Sequence, residues 1–298
     1  MSVRVATPCR LHFGLMNAGN VSDVPRFGGL GLMIDAPDIA VSVEAAMEWS
    51  ADGPSAIRAL TVAKLVTHTP HHITVENCPP EHVGLGVGTA LALAVAKALR
   101  PDLPTLELAK LTGRGVRSGI GLHGFDLGGF IVDGGKQDGE LPELLTRLPF
   151  PADWRIVLAR PSIAPEWHGE TERTAFARAP QKHHDEMLDT RRRVEELVRT
   201  GTDFAGFATA LHEYNRQAGL WFEAVQGGVY AGLAVTAVVE RIQKLGIVGV
   251  GQSSWGPTVF AFVEGVDRAE WLAKRLRVVD ATLTISTTTA ANRGARIG

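Results

Sequence analysis

His82-Val83-Gly84-Leu85-Gly86-Val87-Gly88-Thr89 runs directly into an alanine- and leucine-rich segment, Ala90 to Leu99, that stops near Pro101. Three alternate glycines at a helix start let the backbone approach a ligand closely. They also aim free N–H groups and the positive helix end at an anion. A plain loop-to-helix turn is the competing reading. The stretch is not a Walker loop, because no Lys-Ser/Thr follows at the required offset, and it is not a dinucleotide fingerprint, because the glycine spacing differs.

Outward from this turn the pattern mixes strands and helices. Val3, Val5, Leu11 and Phe13 alternate with polar residues and predict an opening strand interrupted at Pro8. Strands are also predicted over Leu30–Ile34, Ile39–Val43 and His72–Glu76. Helices are predicted over Ala56–Val66, where Ile57, Leu60 and Leu65 recur at helical spacing, and over Leu106–Leu111. A glycine-rich stretch, Gly113 to Gly135, follows. The second half predicts a strand at Arg155–Ala159 and helices near 182–199, 203–217 and 227–245. A glycine-serine loop, Gly249–Gly256, leads to a strand at Thr258–Val263, a helix near 268–277 and a strand near 281–287. Strands grouped early, with helices between hairpin-like runs, point to an α+β fold and not an alternating parallel sheet. The Leu148-Pro149-Phe150-Pro151 break sets the expected boundary between domains 1–150 and 151–298.

Composition narrows the function. The 298 residues are 45% hydrophobic, which excludes disorder, and 30 Lys+Arg against 32 Asp+Glu give a net charge of −2. No nucleic-acid partner is expected, since no surplus positive charge exists to displace counterions. An anionic ligand must be met by a local basic cluster. Two cysteines, Cys9 and Cys78, form neither a disulfide framework nor a CxxC pair, so a reducing cytoplasm is expected. The start of the chain lacks a signal-peptide apolar region. Ala90–Leu99 is about half the length of a membrane span, so no membrane partner is expected.

Three further segments carry chemistry. Gly113-Arg114-Gly115-Val116-Arg117-Ser118-Gly119-Ile120-Gly121 sets two arginines among four glycines and reads as a phosphate grip, with solvated loop charge as the alternative. A helix dipole supplies at most about 2 kcal/mol toward an anion. Charged hydrogen bonds from arginine add roughly 1.5–3 kcal/mol each, so the arginines decide tight binding. Gly249 to Pro257 places Ser253 and Ser254 beside Gln252 and Trp255. Arg10-Leu11-His12 puts Arg10 and His12 on one strand face, with Arg26 following before another glycine cluster. His71-His72 and His183-His184 lack a third spaced ligand, so no protein metal site is expected. Trp221, Phe222 and Gln226, ahead of an apolar helix, read as core before they read as a ligand platform.

The Thr7–Gly14 opening, the GLGVGT loop-helix, the Arg-Ser-Gly stretch and the late Gly-Ser loop occur in an order that resembles the GHMP small-molecule kinase superfamily. The finer resemblance is to its beta-ribofuranosylaminobenzene 5′-phosphate synthase branch, carried most specifically by GRGVRSGIGLHGFDLGGFIVDGG (113–135), Gln226-Gly227-Gly228 and GQSSWGPTVFAF (251–262). It implies a two-domain GHMP-like α+β fold, with an N-terminal domain related to ribosomal protein S5 domain 2 and a ferredoxin-like C-terminal α/β sandwich, often as a homodimer. It implies a pentosyltransferase joining 4-aminobenzoate to phosphoribosyl pyrophosphate in tetrahydromethanopterin biosynthesis, with release of carbon dioxide and pyrophosphate. Gly84, Leu85, Gly86, Gly88 and Thr89 would then grip pyrophosphate with Arg117 and Ser118, with Mg²⁺ bridging its oxygens and no organic cofactor. Arg26 or Arg114 would hold the 5′-phosphate, beside the cationic patch of Arg10. The arene carboxylate would meet Ser253, Ser254 or His12 beside Trp255, while Asp126 or Glu172 would stabilise the developing cation. Two departures stand out. Gly121 replaces the base aspartate usual in the kinases, which argues against phosphoryl transfer, and Val87 and Ala90 replace the loop's polar residues. The alternatives are an ATP-dependent small-molecule kinase and a non-catalytic ligand-binding relative.

Overall fold

The computed structural model describes residues 2–17, 27–137, 140–163, 171, 174–175 and 185–298, with no side-chain account for Asp185. Two mainly antiparallel sheets organise them. The first contains β1 (Ser2–Asn17), β2 (Phe27–Ala45), β3 (Ser50–Asp52), β4 (His71–Asn77), β5 (Phe130–Asp133), β6 (Leu144–Leu148) and β11 (Arg296–Ile297). Its order is β11-β1-β2-β4-β3, with β5 on β2 and β6 on β5. The second contains β7 (Trp154–Arg160), β8 (Val250–Gln252), β9 (Val259–Glu264) and β10 (Thr284–Thr288), in the order β10-β7-β9-β8. The expected α+β class is what forms.

Pro8 does not interrupt β1. The ladder to β2 instead shifts register between Pro8 and Cys9, which absorbs the missing N–H, and Leu30–Ile34 and Ile39–Val43 are parts of one strand. The glycine-rich stretch is not all loop. It holds a helix, α4 (Ile120–Leu127), and the fully buried β5. Its glycines serve close packing as well as turning: a Cβ on Gly124 would lie 2.2 Å from Met33 Sδ.

The glycine turn leads into α2 (Val87–Leu99), whose Leu91–Ala96 are all 0% exposed. Small alanines let this helix lie against β1 and β2, with α1 (Ala56–Val66), α3 (Thr105–Leu111) and α4 around it. In α1 the predicted helix forms, but Ile57 and Leu65 face outward while Ala59, Val62, Ala63 and Val66 are buried.

Later helices are α5 (Asp185–Thr200), α6 (Phe204–Leu220), α7 (Glu223–Gln226), α8 (Gly232–Lys244) and α9 (Val266–Val279). The helix predicted over 227–245 begins only at Gly232, because Gly227 and Gly232 adopt positive φ of 78° and 76°. Aromatic rings join the two sheets. Phe13 on β1 meets Phe260 and Phe262 on β9 at ring separations of 5.1 and 5.9 Å, and Phe150, Trp154 and Phe207 extend the cluster. The expected boundary at 150/151 falls between β6 and β7, and the chain's end crosses back to pair β11 with β1. No helix among the described residues is long and apolar enough to cross a membrane.

Candidate active site

β1 brings Arg10 and His12 to the sheet seam, beside the turn that opens α2. Arg10 donates through Nη1 to Gly84 O at 2.7 Å, and its backbone N–H donates to Leu85 O at 3.1 Å. Gly84 has φ of 85°, and a Cβ there would lie 2.4 Å from Ser253 O. Only glycine fits such a position. Ser253 Oγ donates to Gly84 O at 2.7 Å and accepts the His12 backbone N–H at 3.0 Å. Ser254 N–H closes the junction by donating to His12 O at 2.9 Å.

A second chain of bonds runs from His12 into the 113–121 segment. His12 Nδ1 accepts the Gly14 N–H at 3.2 Å, so Nε2 carries the proton and donates to Ser118 Oγ at 3.1 Å. Ser118 Oγ also accepts the Ile120 N–H at 3.3 Å, while its hydroxyl bonds to the Asp133 carboxylate. Asp133, 0% exposed, further accepts the N–H groups of Gly119 at 2.5 Å and Gly135 at 2.8 Å. Burial pushes the Asp133 carboxyl above its ordinary range, opposed by these hydrogen bonds. Burial, with the Arg10 charge beside it, pushes His12 down to about 3. His12 is therefore a neutral imidazole with both nitrogens engaged.

These segments enclose a cavity of about 220 Å³. One set of lining residues is cationic or glycine-rich: Arg10, Thr89, Gly113, Arg114, Gly115, Arg117, Ser118 and Gly121. The other comes mainly from α6, α7, the loop after it and the Gly-Ser loop, with Phe222, Gln226, Val229, Tyr230, Ser254 and Trp255. Three arginines and no aspartate or glutamate line it among the described residues. Arg114 Nε is buried with no partner among the described residues, and burial plus the nearby Arg58 charge lower the Arg114 pKa. Arg58, from α1, pairs with Glu81 and lies against Gly88, where a Cβ would sit 2.9 Å from its Nη2 and 3.7 Å from Arg114 Nη1. The N-termini of α2 and α4 also meet here: a Cβ on Gly121 would be 3.5 Å from Thr89 Cγ2. Two positive helix ends and a guanidinium cluster give the cavity a lining suited to an anion.

The predicted residues sort as follows. Gly84, Leu85, Gly86 and Gly88 build the turn, while Arg10, His12, Thr89, Arg114, Arg117, Ser118, Ser254 and Trp255 line the cavity. Ser253 does not reach it as a ligand donor: it is 0% exposed and its hydroxyl is spent between Gly84 and His12. Asp126 is corrected as a site residue. It is exposed on α4, accepts the Thr105 hydroxyl at 2.5 Å and does not line the cavity. Five residues turn a helix by about 140° past a full turn, so Asp126 cannot share the face of Gly121. Arg26 and Glu172 lie outside the described residues.

Sequence reading missed Arg58, Asp133 and Asn215, and it noted Gln252 and Gln226 without giving either a role in the site. Asn215 donates to Phe13 O and Gln252 O at 2.7 and 2.9 Å and accepts the Gln252 N–H at 2.9 Å. Gln252 accepts the Ala231 N–H and donates to Ser254 O, each at 2.7 Å. Gln226, read as core, is buried yet lines the cavity. No cluster of three His, Cys, Asp or Glu side chains suited to a metal exists among the described residues. The described donors therefore offer no all-protein cage for Mg²⁺.

No family model matches the chain. It is 30% identical over 296 residues to beta-ribofuranosylphenol 5′-phosphate synthase of Archaeoglobus fulgidus, covering 90% of this chain and 91% of the relative. Identity to the enzyme of the same name from Methanothermobacter thermautotrophicus is 26% over 299 residues, covering 87% and 88%. Among solved structures, homoserine kinase from Cytophaga hutchinsonii superposes with a TM-score of 0.67 at 16% identity, covering 100% of this chain and 97% of that one. Mevalonate pyrophosphate decarboxylase from Streptococcus pyogenes gives 0.68 at 12%, covering 98% and 97%. These structural likenesses establish the GHMP-like fold and nothing of the chemistry. Since similarity to the archaeal synthases extends along nine-tenths of both sequences at 30% identity, the chain belongs to the beta-ribofuranosylphenol 5′-phosphate synthase family.

Proposed function

We propose that the chain condenses a 4-substituted benzoate with phosphoribosyl pyrophosphate, joining ring carbon to ribose C1 and releasing carbon dioxide and pyrophosphate, as a step of tetrahydromethanopterin biosynthesis. One observation carries this reading: a single cavity with three arginines, no carboxylate among its described lining, and an aromatic pair, Phe222 and Trp255, at a ring separation of 4.6 Å. The C1–O bond breaks with its electron pair leaving on pyrophosphate, held by Arg114, Arg117 and the α2 N-terminus. The ring carbon bearing the carboxylate attacks C1. The C–CO₂ bond then breaks, and its pair restores aromaticity.

The group lost from that ring carbon is carbon dioxide and not a proton. No base is required, which agrees with a neutral His12 whose nitrogens are both engaged. A kinase transferring phosphate to a hydroxyl calls for a base or an orienting carboxylate, so a lining with no carboxylate among the described residues favours the synthase over the kinase alternative. Arginine clamped on the arene carboxylate would oppose its loss, by stabilising the ground state more than the neutral product. Ser254, beside Trp255, is the milder partner. No step is routed through Mg²⁺. The homodimer and the cytoplasmic setting implied by the resemblance belong to the same proposal.

The phenol in the relatives' name puts 4-hydroxybenzoate first among the arenes to test, with 4-aminobenzoate beside it. Purified protein, phosphoribosyl pyrophosphate and either carboxyl-labelled arene are expected to release labelled carbon dioxide without ATP. Arg117→Ala is expected to raise the phosphoribosyl pyrophosphate KM by roughly ten- to hundred-fold, the loss of one charged hydrogen bond. Absence of label release, with ATP turnover on a small alcohol, would overturn the reading.

A further inference from the structure

Each side-chain amide lining the cavity is oriented by its bonds, and the three differ in what they leave over. Asn215 and Gln252 have their carbonyl oxygens taken by the N–H groups of Gln252 and Ala231. Gln226 spends both hydrogens of its Nε2 on backbone carbonyls, Gly219 O at 3.2 Å and Val229 O at 2.8 Å. Two acceptors on one side fix the amide against flipping. Its Oε1 has no hydrogen-bond partner among the described residues, although the residue is only 6% exposed and lines the cavity. A carbonyl oxygen held this way in the cavity wall favours a ligand that donates a hydrogen bond and excludes water from it, and disfavours one that covers it without donating.

Resting on the synthase reading, we propose that Gln226 Oε1 selects the arene by accepting a hydrogen bond from its 4-substituent. The chemistry sets the direction. The ring carbon bearing the carboxylate must face ribose C1, whose diphosphate belongs with Arg114, Arg117 and the α2 N-terminus. The 4-substituent, para to that carbon, points away from the phosphates and toward the lining supplied by α7 and the loop after it. There the ring lies against Phe222 and Trp255, and Gln226 is the side-chain amide with an acceptor to spare. A phenol O–H or an aniline N–H both satisfy it. A methoxy group or a bare ring C–H leaves it unmatched.

Electron donation from the 4-substituent also changes the chemical rate, so the test reads binding. Dissociation constants are measured by calorimetry with inorganic pyrophosphate present and no sugar substrate, for 4-hydroxybenzoate, 4-aminobenzoate, 4-methoxybenzoate and benzoate. In the unmodified protein the two donors are expected to bind roughly ten- to hundred-fold more tightly than the other two, the usual cost of an acceptor that the bound ligand covers without matching. Gln226→Leu is expected to bring all four within about threefold. The unmodified protein's ligand series stands alone if that variant fails to fold. Equal binding of 4-hydroxybenzoate and benzoate, with labelled carbon dioxide still released in the condensation assay, overturns the Gln226 assignment and leaves the synthase reading intact. No arene binding and no carbon dioxide release overturns both.

Discussion

His12 shows how far position changes a residue's chemistry. On a strand face beside Arg10 it reads as part of a cationic patch, yet it is neutral, 4% exposed and pushed down to about 3. The sign of its linkage to stability follows. A histidine whose folded pKa lies below its unfolded value contributes stability above the unfolded pKa, and that contribution is lost as pH falls. Between about pH 6.5 and 3 the unfolded chain binds one more proton at this site than the folded one. His12→Gln keeps a side chain that can donate to Ser118 and removes the titration. It is therefore expected to flatten the fall of unfolding free energy across that window by up to about 1.4 kcal/mol per pH unit. Urea titrations of both proteins at stepped pH check it, and parallel curves would show that His12 is protonated when folded. Arg114 teaches a related lesson. Its place among glycines is legible in the sequence, but the burial of its Nε without a partner among the described residues appears only once the segment folds beside Arg58 of α1.

At the scale of elements, Asp133 does what the glycine-rich stretch cannot do for itself. A loop of glycines carries a large entropic cost of ordering, and two arginines on it would be poorly aimed. The last residue of β5 fixes it with three accepted hydrogen bonds, from Gly119, Gly135 and Ser118. Asp133→Asn offers one acceptor oxygen and turns an N–H toward the remaining donors, a mismatch costing about 1–3 kcal/mol. The expected result is a lower melting temperature together with a KM for phosphoribosyl pyrophosphate that rises more than kcat falls. Steady-state kinetics on folded variant protein decide it; unchanged KM would mean that the loop holds its arginines without the carboxylate. The sequence hid this residue because Asp133 closes an apolar run, Phe130-Ile131-Val132, within a stretch read as glycine-rich loop. Two of its partners are backbone N–H groups, of Gly119 fourteen residues earlier and Gly135 two residues later, which no side-chain pattern advertises.

Across the whole molecule, the cavity exists because two sheets are locked together by aromatic rings and by the Gly84–Ser253–His12 junction. Phe13 is 0% exposed and sits at the centre of that lock. Phe13→Ala is expected to destabilise the protein by about 3–5 kcal/mol, read as a lowered denaturant midpoint. A loss below 1 kcal/mol would show that the sheets hold without it. The amino-acid sequence alone determined the fold class, the glycine turn that opens α2 and the setting of Arg114 and Arg117 among glycines beside the cavity, because glycine spacing and charge act locally. It could not assign Asp126 away from the site, find Arg58 and Asp133, or turn Gln226 from core into lining. Those depend on which helix face meets the seam and on which hydrogen bonds are already spent, and both are settled only when distant segments pack together and exclude water.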